Sequence, residues 1–173
     1  MSEELSKTDL VQGLSADRVR RLETFCRLRR LRNGEYLFLL GDTAQYLSVV
    51  VEGRIDLCFP MHYGGTVKDV TIESVGSGQT VGWSALVKPY RFTLSARAVE
   101  PAQVMDFGRH DLLQMFDSDP EIGRVLMSRI SEIASIRLAT FQALWVRELQ
   151  RSLEAEASGL AALGRQPGTG VKP

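Results

Sequence analysis

The chain of 173 residues has little of what most catalytic and structural metal sites require. It has two cysteines, Cys26 and Cys58, and two histidines, His62 and His110. Two thiols are too few for a disulfide scaffold or a four-thiolate iron–sulfur cluster. The four residues never pair at zinc-ligand spacing. Charge of one sign is also missing. Lys plus Arg is 21 and Asp plus Glu is 21, so the formal net charge is zero. A dedicated nucleic-acid binder usually carries a basic excess. No apolar run approaches the length of about 18–20 residues that spans a bilayer. The opening MSEELSKTDL has no basic segment followed by an apolar one, so it does not read as a signal peptide. These absences point to a soluble, cytoplasmic, thiol-reduced protein.

What is present is an ordinary globular mixture, 44% hydrophobic and 24% charged. At this length one domain with a real core is expected. Residues 1–13 are polar and expected to be flexible. Ser15 is a good N-cap, and Ala16 to Leu31 reads as a helix with Val19, Leu22, Phe25 and Cys26 near one face. Its arginines, Arg18, Arg20, Arg21, Arg27, Arg29 and Arg30, fit a solvated face or a contact with a phosphate or an acidic partner. Asn33-Gly34 ends the segment. The pattern then becomes strand-like. Tyr36–Leu40 is a short apolar run, Tyr46–Val51 is rich in β-branched residues, Ile55–Phe59 and Val67–Val75 alternate, and Phe92–Val99 and Ala102–Phe107 read as two more strands. His62-Tyr63-Gly64-Gly65 reads as a loop between two of these runs. About seven short strands at spacing of roughly 8–12 residues predict an antiparallel sandwich or barrel.

From Arg109 the helical period returns. A short helix carries Leu112, Leu113, Met115 and Phe116. A long one starts near Pro120 and runs to about Ala157. The stripe of Phe141, Trp145 and Leu149 at i, i+4 spacing needs a partner, and the same helix of a second subunit supplies one. A homodimer through this helix, about 120–157, is therefore expected. Residues 158–173, with Gly159, Gly164, Gly168 and Gly170, read as a disordered tail.

The glycines make the pattern specific. Gly34-Glu35, Gly41-Asp42, Gly53, Gly78, and Gly82 before Ala85-Leu86 resemble the cyclic-nucleotide-binding domain of catabolite-activator-type regulators and kinase regulatory subunits. The resemblance covers about Leu14 to Leu149, within a domain expected over residues 14–157. It implies a mainly β fold, a jelly-roll-like antiparallel barrel with an N-terminal helix and a long C-terminal helix. It also implies a non-enzymatic sensor for cyclic AMP or cyclic GMP that signals through the long helix. In that family one short helical turn opens with Gly-Glu and ends with an Arg that neutralises the cyclic phosphate. The matching stretch here runs from Val81-Gly82-Trp83-Ser84-Ala85-Leu86 to Arg91-Phe92-Thr93.

Two positions depart from the pattern. Trp83 replaces the Glu that accepts from the ribose, and Phe92 falls where the phosphate Arg is expected. Arg91 lies one position earlier, and Thr93 falls where a small residue touches the phosphate. The helix position that meets the base falls near Arg137-Leu138. Three readings remain open. The pocket binds a cyclic nucleotide, with Trp83 packing on it, Arg91 on the phosphate, and the amides of Ser84 and Ala85 donating. Or it binds another anion or small metabolite. Or Trp83 and Phe92 fill it, and the domain is a dimeric interaction module. The family's helix-turn-helix would need about 60 further residues. This chain as given is therefore expected to act without binding DNA, as a stand-alone regulator with an unknown protein partner. Enzyme readings are poor, because a cupin-type site needs a cluster of His and carboxylate ligands that is absent here.

Overall fold

The computed structural model describes residues 2–163. Two antiparallel four-stranded sheets form the centre. The strands are β1 (Cys26–Leu31), β2 (Tyr36–Phe38), β3 (Tyr46–Glu52), β4 (Ile55–Tyr63), β5 (Thr66–Val75), β6 (Thr80–Val81), β7 (Ser95–Ala98) and β8 (Ala102–Gly108). One sheet has the order β1-β8-β3-β6 and the other β2-β7-β4-β5. The helices are α1 (Ser2–Ser6), α2 (Ala16–Glu23), α3 (Arg109–Ser118) and α4 (Pro120–Leu163). This is the sheet-plus-helix architecture the sequence predicts, with eight strands.

The period of two sorts each strand into two faces. In the first sheet Leu47, Val49, Met105 and Phe107 are fully buried on one face. They join Leu5, Leu10, Val19, Leu22, Leu112, Ile122, Leu126 and Ile130 from the helical segments in one apolar cluster. The opposite face carries Leu31, Val50, Val81 and Val104. These meet Ile55, Leu57, Ala96 and Ala98 of the second sheet in a second cluster. The core is thus double, one layer between sheet and helices and one between the two sheets.

Four local expectations are corrected. The helix expected over 16–31 stops at Glu23, and residues 26–31 form β1, paired along its length with β8. The backbone of an edge strand finds its partners across the ladder, which outweighs a helical reading of Cys26 to Leu31. Residues 2–11 are not a loose terminus, since Leu5 and Leu10 are fully buried. His62 and Tyr63 belong to β4, and the turn is Gly64-Gly65 at φ 56° and 79°. Two positive φ values make the tight hairpin turn that suits strand twist, and glycine adopts them without strain. The strand expected over 92–99 is shortened to β7, and Arg91 keeps only an isolated bridge to Thr43.

The chain divides into two compact units at Ala134/Ser135. The first holds both sheets, α1 to α3 and the start of α4. The described part of the second is the rest of α4, which runs past the expected end at Ala157 to Leu163. Of the tail expected at 158–173, residues 164–173 lie outside the described residues. Large apolar side chains are exposed along this second unit, including Leu138, Phe141, Trp145, Leu149 and Leu153. At 100° per residue these five fall within an arc of about 120°.

Candidate functional site

The stretch of interest begins where β6 ends. Gly82 sits at φ 74°, and a Cβ there would lie 3.0 Å from the Tyr46 carbonyl oxygen. It would also lie 3.3 Å from Phe92 Cε1 and 3.4 Å from Phe38 Cε1. Glycine is thus required twice, for its conformation and for its lack of bulk. Trp83, Ser84 and Ala85 then form one tight turn. Its own hydrogen bonds close it. Ala85 N–H donates to Gly82 O at 3.0 Å and Leu86 N–H to Trp83 O at 3.0 Å. The Ala85 amide, expected to donate to an anion, is therefore already used. Ser84 and Ala85 are buried, and Trp83 is half-buried against the helix-side core.

After the turn come a cis Lys88–Pro89 peptide bond and Tyr90 at φ 60°. The guanidinium of Arg109 lies over the Tyr90 ring, 4.8 Å from its centroid, and Arg109 Nη1 donates to Ala44 O at 3.1 Å. The next residues are zipped to the loop after β2. Ala44 N–H donates to Tyr90 O at 2.8 Å, Phe92 N–H to Asp42 O at 3.0 Å, and Gly41 N–H to Phe92 O at 2.8 Å. An extended backbone sends neighbouring side chains to opposite sides. Arg91 is exposed, with Nη1 donating to Gly41 O at 2.7 Å. Phe92 turns inward, buried, and stacks on Phe38 with ring centroids 3.7 Å apart and planes 8° from parallel. Thr93 is exposed.

Of the residues singled out in the sequence, Gly82 and Phe92 converge on one point, where Phe38 joins them. Trp83, Ser84 and Ala85 flank it. Arg91 and Thr93 are exposed on the rim. Phe38 was not anticipated as a site residue. Its signal was its place one strand-turn before Gly41-Asp42, in a run of five apolar residues that reads simply as core.

Beside the ring stack lies a cleft of about 210 Å³ lined by Arg29, Phe38, Asp42, Gln45, Ser48 and Phe92, among others. Behind its surface Ser48 Oγ donates to Asp106 Oδ1 at 2.5 Å, and Arg29 Nε lies 2.8 Å from Asp106 Oδ2. The Arg29 N–H is not aligned on that oxygen, and this buried donor makes no hydrogen bond. No group of three or more His, Cys, Asp or Glu that could hold a metal occurs among the described residues. No helix of the described residues is long and apolar enough to cross a membrane.

Comparison with known proteins agrees with this architecture. The cyclic nucleotide-binding domain family matches residues 28–119, more than half of the chain. The cyclic AMP receptor protein of Thermus thermophilus is 27% identical over 122 residues, 70% of this chain and 55% of that protein. The chain thus spans about half the length of that relative. A solved structure from Geobacter metallireducens, described as a cyclic nucleotide-binding protein, is 26% identical with a TM-score of 0.66. It covers 79% of this chain and 97% of its own. A cyclic nucleotide-binding domain from Methylobacillus flagellatus shares the fold, with a TM-score of 0.71 at 20% identity, over 84% of this chain and 80% of its own. From β1 to the start of α4, through the glycine turn at Gly82, the chain belongs to the cyclic nucleotide-binding domain family.

Proposed function

We propose that this domain is a regulatory module that works without a cyclic nucleotide. Its own rings occupy the seat where the family holds the cyclic phosphate, and it acts as a dimeric interaction module. The Phe38–Phe92 stack carries this reading. A cyclic phosphate needs a charged partner and free N–H donors, since an unpaired buried anion is severely penalised. Here the position is a buried phenyl ring, the Ala85 amide is spent within its turn, and Arg91 faces outward on Gly41 O. Trp83 offers no acceptor for a ribose hydroxyl, because an indole only donates. The exposed stripe from Leu138 to Leu153 supports signalling through the second half of α4, by pairing with the same helix of another copy. The two free cysteines suit a reducing, cytoplasmic setting.

Calorimetric titration of the purified chain with cyclic AMP, then cyclic GMP, tests the proposal. The expected result is no saturable heat with either nucleotide from a folded protein. Saturable binding of one nucleotide per chain would overturn it. Loss of that binding in Arg91→Ala would then show that Arg91 leaves Gly41 to hold the phosphate.

A further inference from the structure

The cleft beside the ring stack has a charged floor in a place where the fold otherwise puts aliphatic side chains. The strand register places Arg29, Ser48 and Asp106 on the face between the two sheets. Their neighbours on that face are Leu31, Val50, Val81 and Val104, all buried. Asp106 and Ser48 are buried too, and of the three Arg29 and Ser48 line the cleft while Asp106 lies behind them. Apolar residues of similar volume would pack such a site at least as stably as an ion pair does. Charge held beside an open cleft with an apolar wall is the usual composition of a binding site.

We propose that this cleft binds a small organic carboxylate with a flat apolar body, Arg29 taking the carboxylate and the Phe38–Phe92 wall taking the body. The proposal rests on the reading that the cyclic-phosphate seat itself is shut. A guanidinium carries five donors. In Arg29 the Nε–H is unaligned on Asp106, and Nη1 reaches the Leu37 carbonyl only at 3.4 Å. The buried Nε stays beside Asp106, which fixes the plane of the group, and the Nη end of the fork is what a ligand can reach. A carboxylate matches that fork in geometry. Charge selects the class further. Asp106 already offsets Arg29, and Asp42 stands on the rim, so a singly charged group suits the cleft better than a phosphate dianion. Phe38 and Phe92 present ring carbon to the same space, which favours an aromatic or similarly flat body. Gln45 adds an amide at the rim for orientation.

The test follows the Arg Nε–Hε signals of nitrogen-15-labelled protein by NMR, with Arg29 assigned through its backbone and by its loss in Arg29→Lys. Benzoate is titrated in, with benzylamine and benzyl alcohol as ring-matched controls. The expected result is a saturable shift of the Arg29 signal with benzoate alone. Arg29→Lys keeps the charge but not the fork, and it weakens benzoate about tenfold or more, read on the Gln45 amide. An Arg29 signal that benzoate leaves in place would overturn the proposal. So would equal shifts at the exposed Arg27 and Arg91, which would mean surface attraction of anions. Where the lysine variant does not fold, the benzoate arm with its two controls decides alone. Nucleotide calorimetry reads the other seat, so the two proposals fail separately.

Discussion

Gly53 and Gly34 both have positive φ, 79° and 85°, yet they do different jobs. A Cβ at Gly34 would meet nothing within 4 Å, whereas one at Gly53 would lie 2.4 Å from the Pro101 carbonyl oxygen and 2.8 Å from Ala102 Cα. Both contacts are backbone and cannot swing away. Gly34→Ala therefore carries only the left-handed penalty, about 1 kcal/mol. Gly53→Ala adds the clash and costs about 3 kcal/mol or more. Urea denaturation of the two variants checks the difference, and equal midpoints would contradict it. At the same scale the sequence announced the departures at Trp83 and Phe92, since each stands at a position the family pattern defines. It did not announce where Arg91 points. That depends on which backbone atoms of 41–44 pair with 90–92, a tertiary fact. Arg29 and Asp106 were missed for a related reason. Each is an ordinary charged residue until the β1–β8–β3 register sets both on the inner face.

Elements read well where the pattern was long, as in α4 and β5, or where β-branched residues cluster, as in β3. They read poorly between Ala16 and Leu31. No Gly or Pro stands between Glu23 and Cys26 to mark the stop, and alternating arginines fit a solvated helix face and an edge strand alike. The amino-terminal segment failed differently. Its few apolar residues, Leu5, Leu10 and Val11, have no periodic signature, and only the tertiary core shows that they are buried. The junction of α2, α3 and α4 is tied electrostatically. Arg18 Nε donates to Asp119 Oδ2 at 3.0 Å, Arg21 Nη1 lies 3.6 Å from the same oxygen, and Arg21 Nη2 donates to Ser118 Oγ at 2.7 Å. The hydrogen bond from Arg18 holds the Asp119 carboxyl below the usual carboxylate range. A carboxyl with a depressed folded-state pKa stabilises the fold fully above its unfolded value, about 4. That contribution is lost as pH falls through the folded value. Asp119→Asn is expected to unfold more readily than the parent at pH 7, with the difference shrinking toward pH 3. Urea midpoints across that window decide it. A constant difference would show that the carboxylate charge is not what acts.

The whole molecule pairs a well-buried sheet-and-helix unit with a helical unit that leaves Phe141, Trp145 and Leu149 uncovered. An isolated helix in water gains little from such a face. In the proposed dimer a second copy covers it, and the partner's equivalent stripe is chemically matched by identity. The double variant Trp145→Glu, Leu149→Glu is expected to sediment as a monomer at concentrations where the parent is a dimer. Its first unit should stay folded, since neither residue belongs to either core cluster. A parent that sediments as a monomer would contradict the dimer.

The free cysteines give the molecule an internal clock. Cys58 is fully buried on β4, and burial pushes its thiol up from its ordinary value. Only the thiolate attacks an alkylating reagent, and only where the reagent can reach it. Modification of Cys58 therefore waits for β4 to part from its neighbours, and its rate follows how often the second sheet opens. The strand that carries half of the hairpin thus also carries a record of each breath the sheet takes.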